Sequence, residues 1–131
     1  MSPHKHIAGR FLEEILGGGH FERLGELVTD DYADRSLPSG VTPRAAIEMF
    51  RAGFPDASVR IDSQIEEGSQ VVTRWTLSAT HAGEFFGLAP TGRPVLMTGF
   101  SQYRFDGDRM AEAWVDYDLL GLLRQIGAVA A

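Results

Sequence analysis

The chain has 131 residues and a net charge of -6, with 44% hydrophobic and 23% charged residues. This composition is typical of one globular domain, so we expect residues 1–131 to fold as a single unit. The acidic balance argues against nucleic acid as a partner, and the absence of cysteine excludes disulfides and thiolate metal sites. No apolar run is long enough for a membrane span and no signal peptide is apparent, so we expect a cytoplasmic protein.

The first part of the chain predicts three helices. A serine–proline pair at 2–3 and a threonine–proline pair at 42–43 are each a helix-start signal. Apolar residues at helical spacing predict a helix that ends at the glycines 17–19 and a short helix around residues 21–28. Residues 30–41 are mostly polar, and we predict that they form a loop.

After the third predicted helix, apolar and polar residues alternate one by one along the sequence, which is typical of strands. Four strands are predicted, over residues 59–65, 71–81, 95–105 and 110–117. The sequence Asp-Gly-Asp at 106–108 predicts a hairpin, and the leucine-rich residues 119–126 predict a short C-terminal helix. Helices followed by strands indicate an α+β fold: a cone-shaped, curved antiparallel sheet that packs against three N-terminal helices. The open mouth of such a cone suits a small molecule.

Two faces of the last hairpin differ in character. In a strand, alternate residues share a face. The even-numbered residues of 95–105 and 110–118 therefore share one face, which carries Gln102 and Asp118 together with Phe100 and Trp114. Because polar groups among aromatic rings are costly unless paired, exposed or neutral, we predict that this face lines the pocket. A carboxyl group there suits a general base. We expect the odd-numbered residues between 95 and 105, beside Val72, to be exposed and to form a dimer interface.

Other catalytic motifs are absent from the sequence. There is no glycine-rich phosphate loop, no H-E-x-x-H and no G-x-S-x-G, and the four histidines do not have ligand spacing. We therefore expect carboxylate chemistry in a pocket, with no cofactor and no metal.

Four segments resemble the SnoaL-like polyketide cyclases, or ester cyclases, of the nuclear-transport-factor-like superfamily. Residues 67–75 match E-G-D-x-V-V-x-R-W and residues 80–87 match T-H-x-G-x-F-x-G. Residues 90–93 match P-T-G-R, and residues 112–127 match E-x-W-x-x-x-D followed by L-L-x-Q-L-G.

The resemblance implies a barrel with a deep apolar pocket, in a homodimer or a higher homo-oligomer, that binds a small hydrophobic polyketide-like substrate. It implies aldol ring closure of a polyketide ester without a cofactor, with Asp118 as the acid/base residue and Gln102 as its support. The family's anthracycline cyclases have a histidine where this chain has Arg104, which puts their substrate in doubt.

Six further residues are predicted to contact the substrate: Trp75, His81, Phe100, Arg104, Trp114 and Tyr32, the last at the pocket mouth. Three of the candidate site residues have a structural alternative. Asp118 could simply cap the last helix, His81 could be a buried structural histidine, and Gln102 could satisfy backbone groups.

Two other functions stay open. The first is a non-catalytic domain that binds a small molecule in the same pocket, because this fold hosts many functions. The second is an epoxide hydrolase or a ketosteroid isomerase-like enzyme. In a hydrolase, Arg104 with Asp116 and Asp118 would position a water. Asp118 at the pocket floor near Gln102 would favour an enzyme, whereas Asp118 facing solvent would favour a binding domain.

Overall fold

The computed structural model describes residues 2–130. The elements run in chain order as α1 (Pro3–Arg10), a π-helical segment (Phe11–Leu16), a 3-10 turn (Phe21–Arg23), α2 (Leu24–Leu27), β1 (Val28–Asp34), α3 (Pro43–Gly53), β2 (Ser58–Glu67), β3 (Gln70–Thr80), β4 (Pro94–Asp106), β5 (Arg109–Tyr117) and α4 (Leu119–Gln125). The α+β class, the N-terminal helices and the short C-terminal helix are as predicted.

Both predicted helix starts are confirmed. The Ser2 hydroxyl accepts a hydrogen bond from the N–H of Lys5 at 3.0 Å, and the Thr42 hydroxyl accepts one from the N–H of Ala45 at 3.1 Å. Each bond satisfies an N–H that has no partner inside its own helix. The proline that follows each cap fits the first helical position, which needs no N–H donor.

Five strands form one curved, open sheet in the order β1-β5-β4-β3-β2. Neighbouring strands are antiparallel except for β1, which runs parallel to β5 at the edge. The predicted hairpin between β4 and β5 is confirmed: Asp106 pairs with Arg109, and Gly107 has a φ of +63° in the turn between them. This left-handed conformation favours glycine.

The prediction for the two faces of β4 is wrong. Trp75 pairs with Gly99, so the odd-numbered residues of β3 and β4 lie on the same side of the sheet. That side is buried under the helices, and Tyr103 and Phe105 belong to the core. The even-numbered residues of β4, including Gln102, therefore face outward. The strand pattern alone could not decide this, because both sides of β4 carry apolar residues.

Strand β1 was not predicted, since residues 30–41 were expected to form a loop. Its sequence Thr-Asp-Asp-Tyr-Ala-Asp is too polar to resemble a buried strand. It forms because β1 adds to the sheet edge beside β5, where Ala33 pairs with Glu112 and Asp34 with Ala113. The parallel pairing brings the end of β1 next to the middle of β5.

A bulge in β2 changes which of its residues are buried. The pairing with β3 shifts between Ile61 and Ser63, and this shift reverses the facing of the residues that follow. Val59 is therefore buried, whereas Ile65 is exposed.

The helices cover the inner side of the sheet. Leu12 and Ile15 of the π-helical segment, Phe54 after α3 and Leu122 of α4 are among the buried core residues. None of the helices between residues 2 and 130 combines the length and the apolar character needed to cross a bilayer.

Candidate functional site

A cavity of about 230 Å³ lies between the inner side of the sheet, the π-helical segment and α3. Its apolar lining consists of Phe11, Leu12, Leu16, Leu37, Pro38, Pro43, Ala46, Ile47, Phe50, Trp75, Met97 and Val115. Its polar lining consists of Tyr32, Asp34, Ser36, Ser101, Tyr103 and Tyr117. A mostly apolar hollow with a few convergent polar groups has the character of a small-molecule site.

The π-helical segment supplies one wall of the cavity. Phe11, Leu12 and Leu16 line it from this segment, which continues α1 without a break. A π-helical turn is rare and is frequent at functional sites, because it turns side chains out of the regular helical positions. Ile47 and Phe50 of α3 close the opposite side.

Asp34 is the only charged residue among the described residues that line the cavity. Its Oδ1 accepts hydrogen bonds from the backbone N–H of Ser36 at 2.9 Å and from the Ser36 hydroxyl. These bonds fix the orientation of the carboxylate at the end of β1. Within residues 2–130, no group donates a hydrogen bond to Oδ2 of Asp34. Asp34 therefore presents one oxygen that can accept a proton.

Three tyrosines share the cavity with Asp34. Burial raises the pKa of Tyr103 above its ordinary value, with a smaller contribution from the negative charge of Asp34. Burial also raises the pKa of Tyr32 well above its ordinary value, and Tyr103 and Asp34 add to this. Burial and Asp34 raise the pKa of Tyr117 as well. All three phenols stay protonated near neutral pH and can donate a hydrogen bond.

The cavity floor contains a buried polar pair. The indole N–H of Trp75 donates to the Ser101 hydroxyl over 2.9 Å, and both side chains are buried. The Trp75 ring occupies the space above Gly99, where an added Cβ would lie 2.3 Å from a ring carbon. Glycine at this position therefore lets the indole lie flat against β4.

The two predicted catalytic residues lie outside the cavity lining. Asp118 is exposed and caps α4: its Oδ1 accepts the N–H of Gly121 at 2.9 Å. Gln102 is on the outer side of β4, where its amide donates to the side chain of Gln70. The structure therefore does not bring Asp118 and Gln102 together around a cavity. The structural alternative of a helix cap describes the position of Asp118.

Three of the predicted substrate contacts are also on the outer side. The side chains of Phe100 and Trp114 are 53% and 39% exposed, respectively. Arg104 pairs with Glu112 through its Nε at 2.6 Å and with Asp106 at 2.9 Å, rather than with Asp116. The register of β4 with β3 turns Phe100 and Arg104 outward, and Trp114 of β5 pairs with Gln102 on the same side.

His81 is buried but does not line the cavity. Its Nδ1 accepts the backbone N–H of Thr91 at 3.2 Å, and its ring packs 5.4 Å from that of Phe54. These contacts hold the loop after β3 against the end of α3. Of the predicted substrate contacts, Trp75 and Tyr32 are the two that line the cavity.

The predicted site residues did not include Asp34, Ser101 and Tyr103, all of which line the cavity. The sequence around Asp34 carries no strand signal, because residues 28–34 are mostly polar and burial does not alternate along them. Between residues 2 and 130 no three His, Asp or Glu side chains are grouped so that they could hold a metal ion. Asp34 alone does not make a metal site.

Comparison with known proteins supports one family. The family model named SnoaL-like polyketide cyclase matches residues 6–126. No curated protein sequence is a significant match. A structure named as a candidate polyketide cyclase from Acidithiobacillus ferrooxidans is 30% identical, with a TM-score of 0.85, over 98% of this chain and 97% of that one.

Two further solved structures from Streptomyces species are similar over nearly the whole chain. TsrD from Streptomyces laurentii is 26% identical with a TM-score of 0.85, covering 97% of this chain and 96% of that one. IdmH from Streptomyces antibioticus, described as a candidate polyketide cyclase, is 29% identical with a TM-score of 0.80, covering 97% and 99%. Because the family model matches most of the chain, this protein belongs to the SnoaL-like polyketide cyclase family.

Proposed function

We propose that this protein closes a ring in a small polyketide-type ester by an intramolecular aldol reaction, with no cofactor. The observation that carries the proposal is the carboxylate of Asp34, which is the one charged group among the described residues that line a largely apolar cavity. Membership of the family and similarity to structures named as candidate polyketide cyclases support the substrate class.

The reaction needs one group that takes up a proton and then returns it. Oδ2 of Asp34 takes the proton from a carbon next to a carbonyl group, and the C–H electron pair becomes the C=C bond of an enolate. The enolate carbon then attacks a second carbonyl carbon of the same molecule, which forms a C–C bond and an alkoxide. The protonated Asp34 gives its proton to the alkoxide, so the product is an isomer of the substrate.

Asp34 suits this role better than Asp118 in the present geometry. Each carboxylate has one bonded oxygen, and its other oxygen has no hydrogen-bond partner among the described residues. The two differ in location, since Asp34 lines the cavity whereas Asp118 is exposed outside the cavity lining. A general base must lie within hydrogen-bond reach of the proton that it removes, and a ligand in the cavity lies near Asp34.

The apolar walls would supply the rest of the rate enhancement. A flexible ester chain must fold so that its two reacting carbons lie close together, and aromatic walls such as Phe11, Phe50 and Trp75 restrict the other conformations. The walls also exclude water, which strengthens the electrostatic effect of Asp34 on the substrate.

The test compares two asparagine variants in an assay with methyl esters of aromatic polyketide precursors. We expect Asp34→Asn to lower kcat by about 100-fold or more, since it removes the proton carrier. Asp118→Asn is the matched control. It should retain turnover, since asparagine caps a helix about as well as aspartate.

Loss of turnover in Asp118→Asn, with turnover kept in Asp34→Asn, would show that the base is Asp118. If the native protein converts none of the esters, the proposed reaction is wrong.

A second candidate function is a binding domain without catalysis. The observation that favours it is the exposed position of Asp118, the residue that the family resemblance assigned to catalysis. Calorimetry with the same esters separates the two functions, because a binding domain gives saturable heat without conversion of the ester. The hydrolase alternative has less support, since Arg104 pairs with Glu112 and Asp106 on the outer side.

A further inference from the structure

Two phenols lie together in the wall of the cavity that contains Asp34. Tyr103 comes from the inner side of β4 and Tyr32 from β1. The ring of Phe11 packs against both, with centroid distances of 5.8 Å to each. Tyr32, Tyr103 and Asp34 therefore occupy one end of the cavity, where a single ligand could contact all three.

A buried hydrogen-bonded pair lies beside Tyr103 in the cavity wall. The Trp75 N–H can only donate, so Ser101 accepts from it and keeps its own hydrogen for another partner. Ser101 and Tyr103 are two residues apart on the same side of β4, and both line the cavity. Because burial raises the pKa of Tyr103, its phenol stays protonated and its hydrogen can be donated to a ligand in the cavity.

The chemistry of the cavity needs such a donor. When Asp34 removes a proton from carbon, negative charge develops on a carbonyl oxygen of the substrate. No lysine, arginine or histidine lines the cavity among the described residues, so no side-chain cation is present to stabilise that charge. Neutral O–H donors in an apolar, preorganised site can do so.

We propose that Tyr103 and Tyr32 form an oxyanion site, which donates hydrogen bonds to an enolate or phenolate oxygen while Asp34 holds the proton. Ser101, whose hydroxyl oxygen is held by the Trp75 N–H, lies beside Tyr103 and has a hydrogen left to donate in the same part of the cavity. The inference rests on the proposed function, in which Asp34 is the base. The ligand class is an enolised or phenolic ring compound that is neutral when it enters.

Equilibrium binding of 2-naphthol tests the oxyanion site without turnover. This bicyclic phenol has the oxygen of an enolate, and its absorption and fluorescence distinguish the neutral form from naphtholate. The parent for the test is Asp34→Asn, whose side chain is uncharged like the protonated base. We expect bound 2-naphthol to ionise at a lower pH than it does in solution, because the two phenols stabilise its anion.

Removal of the Tyr103 hydroxyl should weaken this effect. In the Asp34→Asn background, Tyr103→Phe should reduce the affinity for naphtholate by about 10-fold or more, since it deletes one donor to the anion. Ser101→Ala should cause a smaller loss, because it removes a neighbouring hydroxyl while both phenol donors remain. The matched control is naphthalene, which has the same shape and no oxygen. Its affinity should be unchanged in both variants, which a general loss of packing would not allow.

The outcomes separate this inference from the proposed reaction. Equal naphtholate affinity with and without the Tyr103 hydroxyl would overturn the oxyanion site, whether or not esters are converted. Failure of both 2-naphthol and naphthalene to bind would also overturn it. A 10-fold loss that is specific to naphtholate supports the site even if no ester in the panel is cyclised, and then only the reaction assigned under the proposed function is wrong.

Discussion

The two sides of the sheet carry similar residue types and have opposite environments. Trp75 and Tyr103 are buried in the cavity wall on the inner side, whereas Phe100 and Trp114 on the outer side are exposed. Both sides of β4 carry aromatic, aliphatic and polar residues, so composition alone does not distinguish them. The difference arises from strand register and from helices that cover one side only. Whether a residue of β4 can contact a ligand in the cavity therefore depends on the side of the sheet to which the strand register turns it.

The carboxylates show the same contrast. Asp34 lines the cavity and forms no ion pair within residues 2–130, whereas Glu112, one strand position from it in the pairing of β1 with β5, binds two arginines on the outer side. Arg35 and Arg104 neutralise Glu112, which makes it a structural group. This contrast supports the proposal of Asp34, rather than Glu112, as the proton carrier.

The largest expected effect comes from filling the space beside Trp75. Gly99→Ala should lower the free energy of unfolding by about 1–3 kcal/mol, since its Cβ would overlap the buried indole ring. Thr98→Ala, one residue away on the exposed side, is the control and should change it by less than about 0.5 kcal/mol. Urea denaturation measures both. Equal losses from the two variants would mean that the two sides of β4 are packed alike.

The second effect concerns Asp118 as a helix cap. Asp118→Ala should lower the free energy of unfolding by about 1 kcal/mol, because the N–H of Gly121 loses its acceptor. Asp118→Asn should be close to neutral in the same thermal or urea melt, because the amide oxygen can still accept. A loss as large in the asparagine variant as in the alanine variant would show that the charge of Asp118 matters beyond capping.

Much of the fold could be predicted from local signals. The caps at Ser2 and Thr42 and the turn at Gly107 are each determined by a few adjacent residues, and all three are confirmed. Strand register and the edge position of β1 depend on residues far apart in sequence. Gln102 was therefore placed on the wrong side of the sheet, and Asp34 was missed because its strand exists only through pairing with β5.

The third effect concerns association through the outer side, which we propose as the surface for a second copy of the chain. Leu96, Phe100 and Trp114 expose apolar surface on the same side of neighbouring strands. Their side chains form a patch, whereas single exposed apolar residues are common on any protein surface. Phe100→Ser should shift sedimentation toward the monomer at low micromolar concentration, with little change in stability. Sedimentation of the native protein as a monomer at all concentrations would contradict a self-association role for this surface.

The smallest effect is on the acid dependence of stability. Hydrogen bonds from Arg104 and then from Arg35 hold the pKa of Glu112 below its ordinary value of 4.5. A carboxylate whose pKa is depressed by folding stabilises the native state above the unfolded pKa, and this stabilisation is lost as the pH falls. Native stability should therefore decline below about pH 4.5, and Glu112→Gln should make this decline shallower. Urea midpoints at several pH values between 3 and 7 measure it. An unchanged pH dependence in Glu112→Gln would show that the two arginines do not stabilise the folded protein through this carboxylate.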